Sequence, residues 1–131
     1  MIRSALVLLL LGGCATTEAT REMDARQSQR LERELAGLSP GAPMHCLRRD
    51  QANEIRTFQG TILYVAGRNR IYRNDVVGGC AGLARGDIVV SKTFGGEYCS
   101  GDIIETRAPN GIGGANFTGS CSLGEFVPYT R

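Results

Sequence analysis

Four cysteines, Cys46, Cys80, Cys99 and Cys121, are spread through residues 44–131 of a 131-residue chain. A segment of that size builds only a modest hydrophobic core, whereas each disulfide it closes adds about 2–4 kcal/mol, chiefly by restricting the unfolded chain. Bridging therefore constrains this fold more than any other feature of the sequence. Four cysteines allow three connectivities, and spacing does not choose among them. Cys46 and Cys121 stand near the two ends of the segment, which favours pairing them and bridging Cys80 to Cys99.

Between the cysteines the chain has the grammar of strands. Thr61–Val65, Arg70–Arg73, Asp87–Phe94, Asp102–Thr106 and Glu125–Val127 are short runs rich in β-branched and aromatic residues, bounded by glycine-bearing turns. Ala66-Gly67-Arg68-Asn69 reads as the tight turn of a hairpin. Of the 18 glycines, 12 lie from Gly78 onward, where turns are most closely spaced. Five or six short strands predict a mainly β domain over residues 44–131, a small disulfide-stapled antiparallel barrel or sandwich.

The cysteine count is five, and the odd one, Cys14, follows a different logic. Arg3, the apolar run Ala5–Leu11 and the small residues Gly12 and Gly13 have the layout of an export signal. The run is too short to cross a bilayer, which takes roughly 20 apolar residues. Leu11-Gly12-Gly13-Cys14 resembles the bacterial lipobox. The resemblance implies removal of residues 1–13 and acylation of Cys14, which becomes the first residue of the mature chain. Two or three acyl chains are a firm anchor, since each buried methylene adds about 0.8 kcal/mol. Ala15, rather than aspartate, follows Cys14, and an outer-membrane destination is expected.

Residues 14–43 read as a lipidated helical tether and linker. Glu18 to Leu38 is rich in charge and helix formers and free of proline, with Ala19, Met23, Leu31, Leu35 and Leu38 near one face. Gly37 and the Ser39–Pro43 stretch stop the helix. The thin leucine seam allows two readings, a spacer that self-associates and a frayed, solvated tether.

Without Arg3 the mature chain carries 14 basic and 13 acidic side chains, a net charge of +1, so overall charge recommends no polyanion and no nucleic acid. His45 with the four cysteines makes enough ligands for zinc, yet no C-x-x-C pair organises them and an oxidising compartment favours bridges, so neither metal nor cofactor is expected. Asp87 and Asp102 both stand in the phrase Gly-Asp-Ile, and either reads first as a turn residue; a hydrolase or carbohydrate-active enzyme would need such carboxylates to converge. The run Gly111–Asn116 lacks the dinucleotide fingerprint, and the only lysine, Lys92, follows no phosphate loop. Strand alternation puts Arg70 and Tyr72 on one face with Arg68 at the turn, and Tyr64 or Arg56 nearby, a candidate anion-binding patch for an envelope phosphate or carboxylate; a solvated cationic edge explains it equally well in kind.

Cys46 with Ile55-Arg56, Thr61–Tyr64, Gly67–Asn74, Cys80–Leu83, Cys99–Ile104 and Cys121–Pro128, taken in order over about residues 44 to 128, resemble a family of small proteobacterial exported proteins known as a domain of unknown function. The resemblance implies a disulfide-bearing envelope domain and adds no catalytic residue. The sequence thus leads to an outer-membrane lipoprotein with a periplasmic β domain that binds or supports other envelope components. The alternative is a small hydrolase using a carboxylate such as Asp102.

Overall fold

Residues 15–109 and 116–131 are described by the computed structural model, and in them ten strands follow one helix. The helix α1 (Ala15–Glu34) ends just before Gly37, whose φ of +79° is a left-handed conformation open to glycine without steric cost. The strands are β1 (Ser39–Pro40), β2 (Cys46–Arg48), β3 (Glu54–Phe58), β4 (Thr61–Gly67), β5 (Arg70–Asp75), β6 (Ile88–Lys92), β7 (Glu97–Cys99), β8 (Ile103–Ala108), β9 (Asn116–Ser122) and β10 (Phe126–Thr130). All pair antiparallel, in a five-stranded sheet ordered β1-β10-β5-β4-β3, a three-stranded sheet β6-β8-β9 and a ribbon β2-β7. The mainly β expectation holds, as a sandwich-like arrangement rather than a closed barrel.

Strand β4 shows why the layers form. Thr61, Ile62, Leu63 and Tyr64 are all buried, because the five-stranded sheet is covered on both faces. Ile62 and Tyr64 point into the main core with Leu47, Tyr72, Leu83, Ile104 and Phe126, between this sheet and the two smaller ones. Leu63 points the other way, into a second core with Leu35, Phe58 and Ile71. The rings of Tyr64 and Phe126 meet edge-on at 5.5 Å, and Tyr98 packs 5.3 Å from Tyr64.

The second core shows that the C-terminal part of α1 is docked on the β domain. Leu31, Leu35 and Leu38 lie against Phe58, Leu63 and Ile71, so the seam expected to self-associate or face water is covered by the chain's own sheet. Arg56 on β3 hydrogen-bonds Glu34, the Arg30 guanidinium lies 5.8 Å from the centre of the Phe58 ring, and Gln27 accepts the Gln59 N–H at 3.3 Å. After the helix, β1 pairs with β10 and the Gly41 N–H donates to the Pro128 carbonyl at 2.7 Å, leaving no free linker. The physical reason is the apolar helix-side face of β3, β4 and β5, which needs a cover that an amphipathic helix supplies. Only the N-terminal part of the described helix stands clear, with Glu22 and Arg26 exposed and paired at 3.9 Å.

All four cysteines are bridged, but not in the expected partnership. Cys46 on β2 is directly opposite Cys99 on β7 and bonds to it, with Cα atoms 4.0 Å apart. Cys80 bonds to Cys121 on β9, with Cα atoms 5.5 Å apart. Cys46 with Cys121 and Cys80 with Cys99 is therefore corrected. The chain end returns through β10, beyond Cys121, while β2 is carried to the β7 ribbon, so closeness to the ends of the domain does not bring Cys46 and Cys121 together.

Candidate functional site

The arginine hairpin forms as expected and its patch does not. A two-residue turn at Arg68 and Asn69 joins β4 to β5, with a bulge between Val65 and Gly67. Arg68 and Arg70 are exposed, but Tyr72 is buried in the main core, because β5 is a central strand with both faces covered. Alternation puts Arg70 on the Tyr72 side of the sheet. Arg68 instead opens on the helix side, where it lines a cavity of about 400 Å³ with Glu34, Glu54, Arg56 and Ile71. Arg56 is held there by both carboxylates, Glu34 and Glu54, the latter 2.8 Å from its Nε. The Glu54 hydrogen bond, ahead of opposing burial and the Glu34 charge, raises the Arg56 pKa, while the same bond lowers that of Glu54. Two guanidiniums and two carboxylates balance, so the wall as a whole carries no excess of positive charge. Among the described residues Arg68 has no ion-pair partner. Arg68, Arg70 and Tyr72 are thus not one site.

The carboxylates do not converge either. The Asp102 side chain accepts the Cys99 N–H at 2.8 Å, closing the turn that joins β7 to β8. Asp87 lies just before β6, beyond the Arg107 end of β8, whereas Asp102 lies beyond the Ile103 end. Four residue rises separate those ends, about 13 Å at roughly 3.3 Å each. Paired carboxyl groups that cleave glycosides stand about 5–9.5 Å apart.

Asp87 belongs to a buried polar cluster that its sequence neighbours do not reveal. Its side chain, 5% exposed, accepts the Thr118 hydroxyl at 2.7 Å and Arg85 at 3.0 Å. Because the Thr118 proton is spent on Asp87, the Thr106 hydroxyl 3.0 Å away donates to Thr118, making a chain of two hydroxyls that ends on a carboxylate. The Thr118 and Arg85 hydrogen bonds hold Asp87 below the usual carboxylate range against the opposing effect of burial. Gly82 closes over the cluster: a Cβ there would sit 2.4 Å from Asp87 Oδ2 and 2.5 Å from Thr118 Oγ1. The phrase Gly-Asp-Ile marked Asp87 only as a turn residue, and nothing in the spacing joins positions 82, 87, 106 and 118. Satisfied on all sides, the cluster fixes the β6 end of the small sheet.

Lys92, Arg107 and Glu105 are engaged with one another. Lys92 pairs with Glu105 at 2.5 Å and Arg107 pairs with the same carboxylate at 2.7 Å, and the bonds from Lys92 and then Arg107 lower the Glu105 pKa. The ligand set weighed for zinc is divided between two bridges. Cys46 and Cys99 do lie with Glu97 in a group compact enough for an ion, but as a disulfide the two sulfurs offer no thiolate. His45 is exposed, and its carbonyl accepts the Ser100 N–H at 2.8 Å.

A further cleft, of about 230 Å³, lies where the two larger sheets are open to each other, between edge strands β3 and β6; Ile55, Thr57, Gly86, Asp87, Ile88 and Val89 line it. Cys14 and the glycine run 111–115 lie outside the described residues. No helix among those described is long and apolar enough to cross a membrane. Compared with known proteins, the chain matches no family model, no curated protein and no solved structure.

Proposed function

We propose that the chain is an outer-membrane lipoprotein, acylated on Cys14, whose periplasmic β domain acts by binding or structural interaction, in keeping with the exported family that its cysteine-bearing segments resemble. The observation that carries this reading is the use of cysteine. Cys46, Cys80, Cys99 and Cys121 are consumed in two bridges within the folded unit, and the fifth cysteine stands immediately before α1. Two bridges fit an oxidising compartment, and a leftover cysteine behind a short apolar run fits the lipid site. From Ala15 to Gln27, which accepts the Gln59 N–H, twelve rises of 1.5 Å give about 18 Å. The helix would thus hold the domain about that far from the membrane as a docked strut. Binding is favoured over catalysis because Asp87 and Asp102 sit apart and each is committed to local hydrogen bonds. An anionic envelope component, if bound at the hairpin, would be met by Arg68 at the mouth of its cavity.

Cell fractionation of wild type and Cys14→Ser tests the proposal. Wild type should sediment with outer membranes and take up labelled palmitate, and the variant should do neither. Equal membrane association of the two would refute the anchor.

A further inference from the structure

The strand edges of this fold are protected unequally. Strand β1 has two residues and contains Pro40, which cannot donate to a partner. Strand β3 carries the charged pair Glu54 and Arg56, and β9 is capped at one end by reciprocal hydrogen bonds between Val77 and Ser122 of 2.8 and 2.9 Å. Strands β2 and β7 are three residues each. Strand β6, Ile88-Val89-Val90-Ser91-Lys92, pairs among the described residues with β8 on one side only and has neither proline, glycine nor bulge. Its one charge, Lys92, is the usual guard of such an edge, yet it lies across its own sheet in the bond to Glu105. Ile88 is 49% exposed and Val90 36% exposed on the outer face of this strand.

Beside this open edge stands a side chain with no cover at all. Phe94, two residues past the end of β6, is fully exposed at 103%. It projects from a pinned loop: Thr93 on one side hydrogen-bonds Arg49, and the Gly96 carbonyl on the other accepts the Arg49 N–H at 2.9 Å. At the opposite end of β6 is the cleft of about 230 Å³ floored by Gly86, Asp87 and Ile88 and walled by Ile55. An exposed ring at one end of the edge and, at the other, a cleft whose wall mixes Ile55 and Ile88 with Thr57 and Asp87 are the two halves of a self-complementary contact.

We propose that β6 is the interface for a second copy of this chain, pairing antiparallel with its own copy about a two-fold axis through Val90. In that register Ile88 lies opposite Lys92 of the partner subunit and Val89 opposite Ser91 of the partner subunit, so no two like charges oppose each other. The ladder ends at Ile88 and Lys92; past it Phe94 lies toward the turn at Gly86 of the partner subunit, beside the cleft, and the symmetric contact does the same in return. Each ring buries roughly 150–250 Å² in such a contact. The two small sheets become one six-stranded sheet, ordered β9-β8-β6-β6-β8-β9. The contact belongs to the small, reversible class of interfaces, and anchoring on one membrane raises the effective concentration that drives it.

The test is sedimentation equilibrium of the full chain purified in detergent, over about 1–200 µM, together with amide hydrogen exchange at both extremes. The expected result is a monomer–dimer equilibrium with slowed exchange at Ile88–Lys92 in the dimer. Phe94→Ser, and separately Val90→Lys, which sets two lysines face to face on the axis, should each weaken it at least about tenfold. Phe117→Ser is the control, since Phe117 is 58% exposed on β9, away from the edge, and should leave it unchanged. A chain monomeric throughout, a dimer indifferent to both edge variants, or one weakened as much by Phe117→Ser would overturn the proposal. Protection of β6 only upon addition of an unrelated extended peptide would overturn it in favour of a foreign strand.

Discussion

The two disulfides close loops of similar length but sit in different surroundings, and that difference can be measured. Their sequence separations are 53 for Cys46–Cys99 and 41 for Cys80–Cys121. The chain-entropy relation assigns both about 4 kcal/mol at 25 °C, with the longer loop ahead by about 0.2 kcal/mol. Burial reverses the order. Cys80 and Cys121 are 6% and 5% exposed in the main core, whereas Cys46 and Cys99 are half-buried on the small ribbon. Replacing the buried pair by alanine also opens a cavity, worth about 1–2 kcal/mol more for two sulfurs lost from a packed interior. Urea unfolding of the purified mature chain, followed by circular dichroism, should show Cys80→Ala/Cys121→Ala losing about 5–6 kcal/mol and Cys46→Ala/Cys99→Ala about 4 kcal/mol. Against a typical total of about 5–15 kcal/mol, the first variant is close to unfolding in water. A larger loss from the ribbon pair would refute the reasoning, because loop entropy alone cannot separate the two by more than a few tenths.

Three further perturbations probe the interior. The Tyr64 hydroxyl is buried with no hydrogen-bond partner among the described residues, and burial raises its pKa, so Tyr64→Phe should leave stability unchanged or raise it by about 1–2 kcal/mol; a loss above about 1 kcal/mol in urea would count against this. Gly82→Ala should cost at least about 2 kcal/mol, since its methyl group meets Asp87 and Thr118, and a thermal midpoint equal to wild type would contradict the packing of that cluster. Asp87 and Glu105 have depressed pKa values in the folded chain, so the stability they contribute is present above the ordinary carboxylate pKa and lost as pH falls through their lowered values. Unfolding midpoints should therefore drop below about pH 4, and Asp87→Asn with Glu105→Gln should flatten that drop.

What the sequence disclosed, and what it withheld, follows from the range of the interactions. Gly37 as the helix stop and the β4–β5 hairpin about Arg68 and Asn69 are local features, set by backbone freedom and β-branched runs. Strand β9, Asn116–Ser122, carries Thr118 as its only β-branched residue, so its propensity is weak and its pairing with β8 is what makes it a strand. The docking of α1 was hidden because Leu31, Leu35 and Leu38 look the same whether they face water, a second helix or a sheet. Alternation correctly placed Arg70 and Tyr72 on one side of β5, but not the second layer that buries Tyr72. The bridge partners depend on which strands are neighbours, and β2 with β7 is a pairing no local signal announces.

The central claim is an acylated Cys14 followed by a twice-bridged domain, and it is tested most directly by mass. Intact mass before and after reduction, on mature protein taken from bacterial membranes, should show an acylated N-terminal Cys14 and a gain of about four hydrogens on reduction, for two bridges. Peptide mapping should then join Cys46 to Cys99 and Cys80 to Cys121. An unacylated chain beginning elsewhere, or free thiols among the four domain cysteines, would contradict the account.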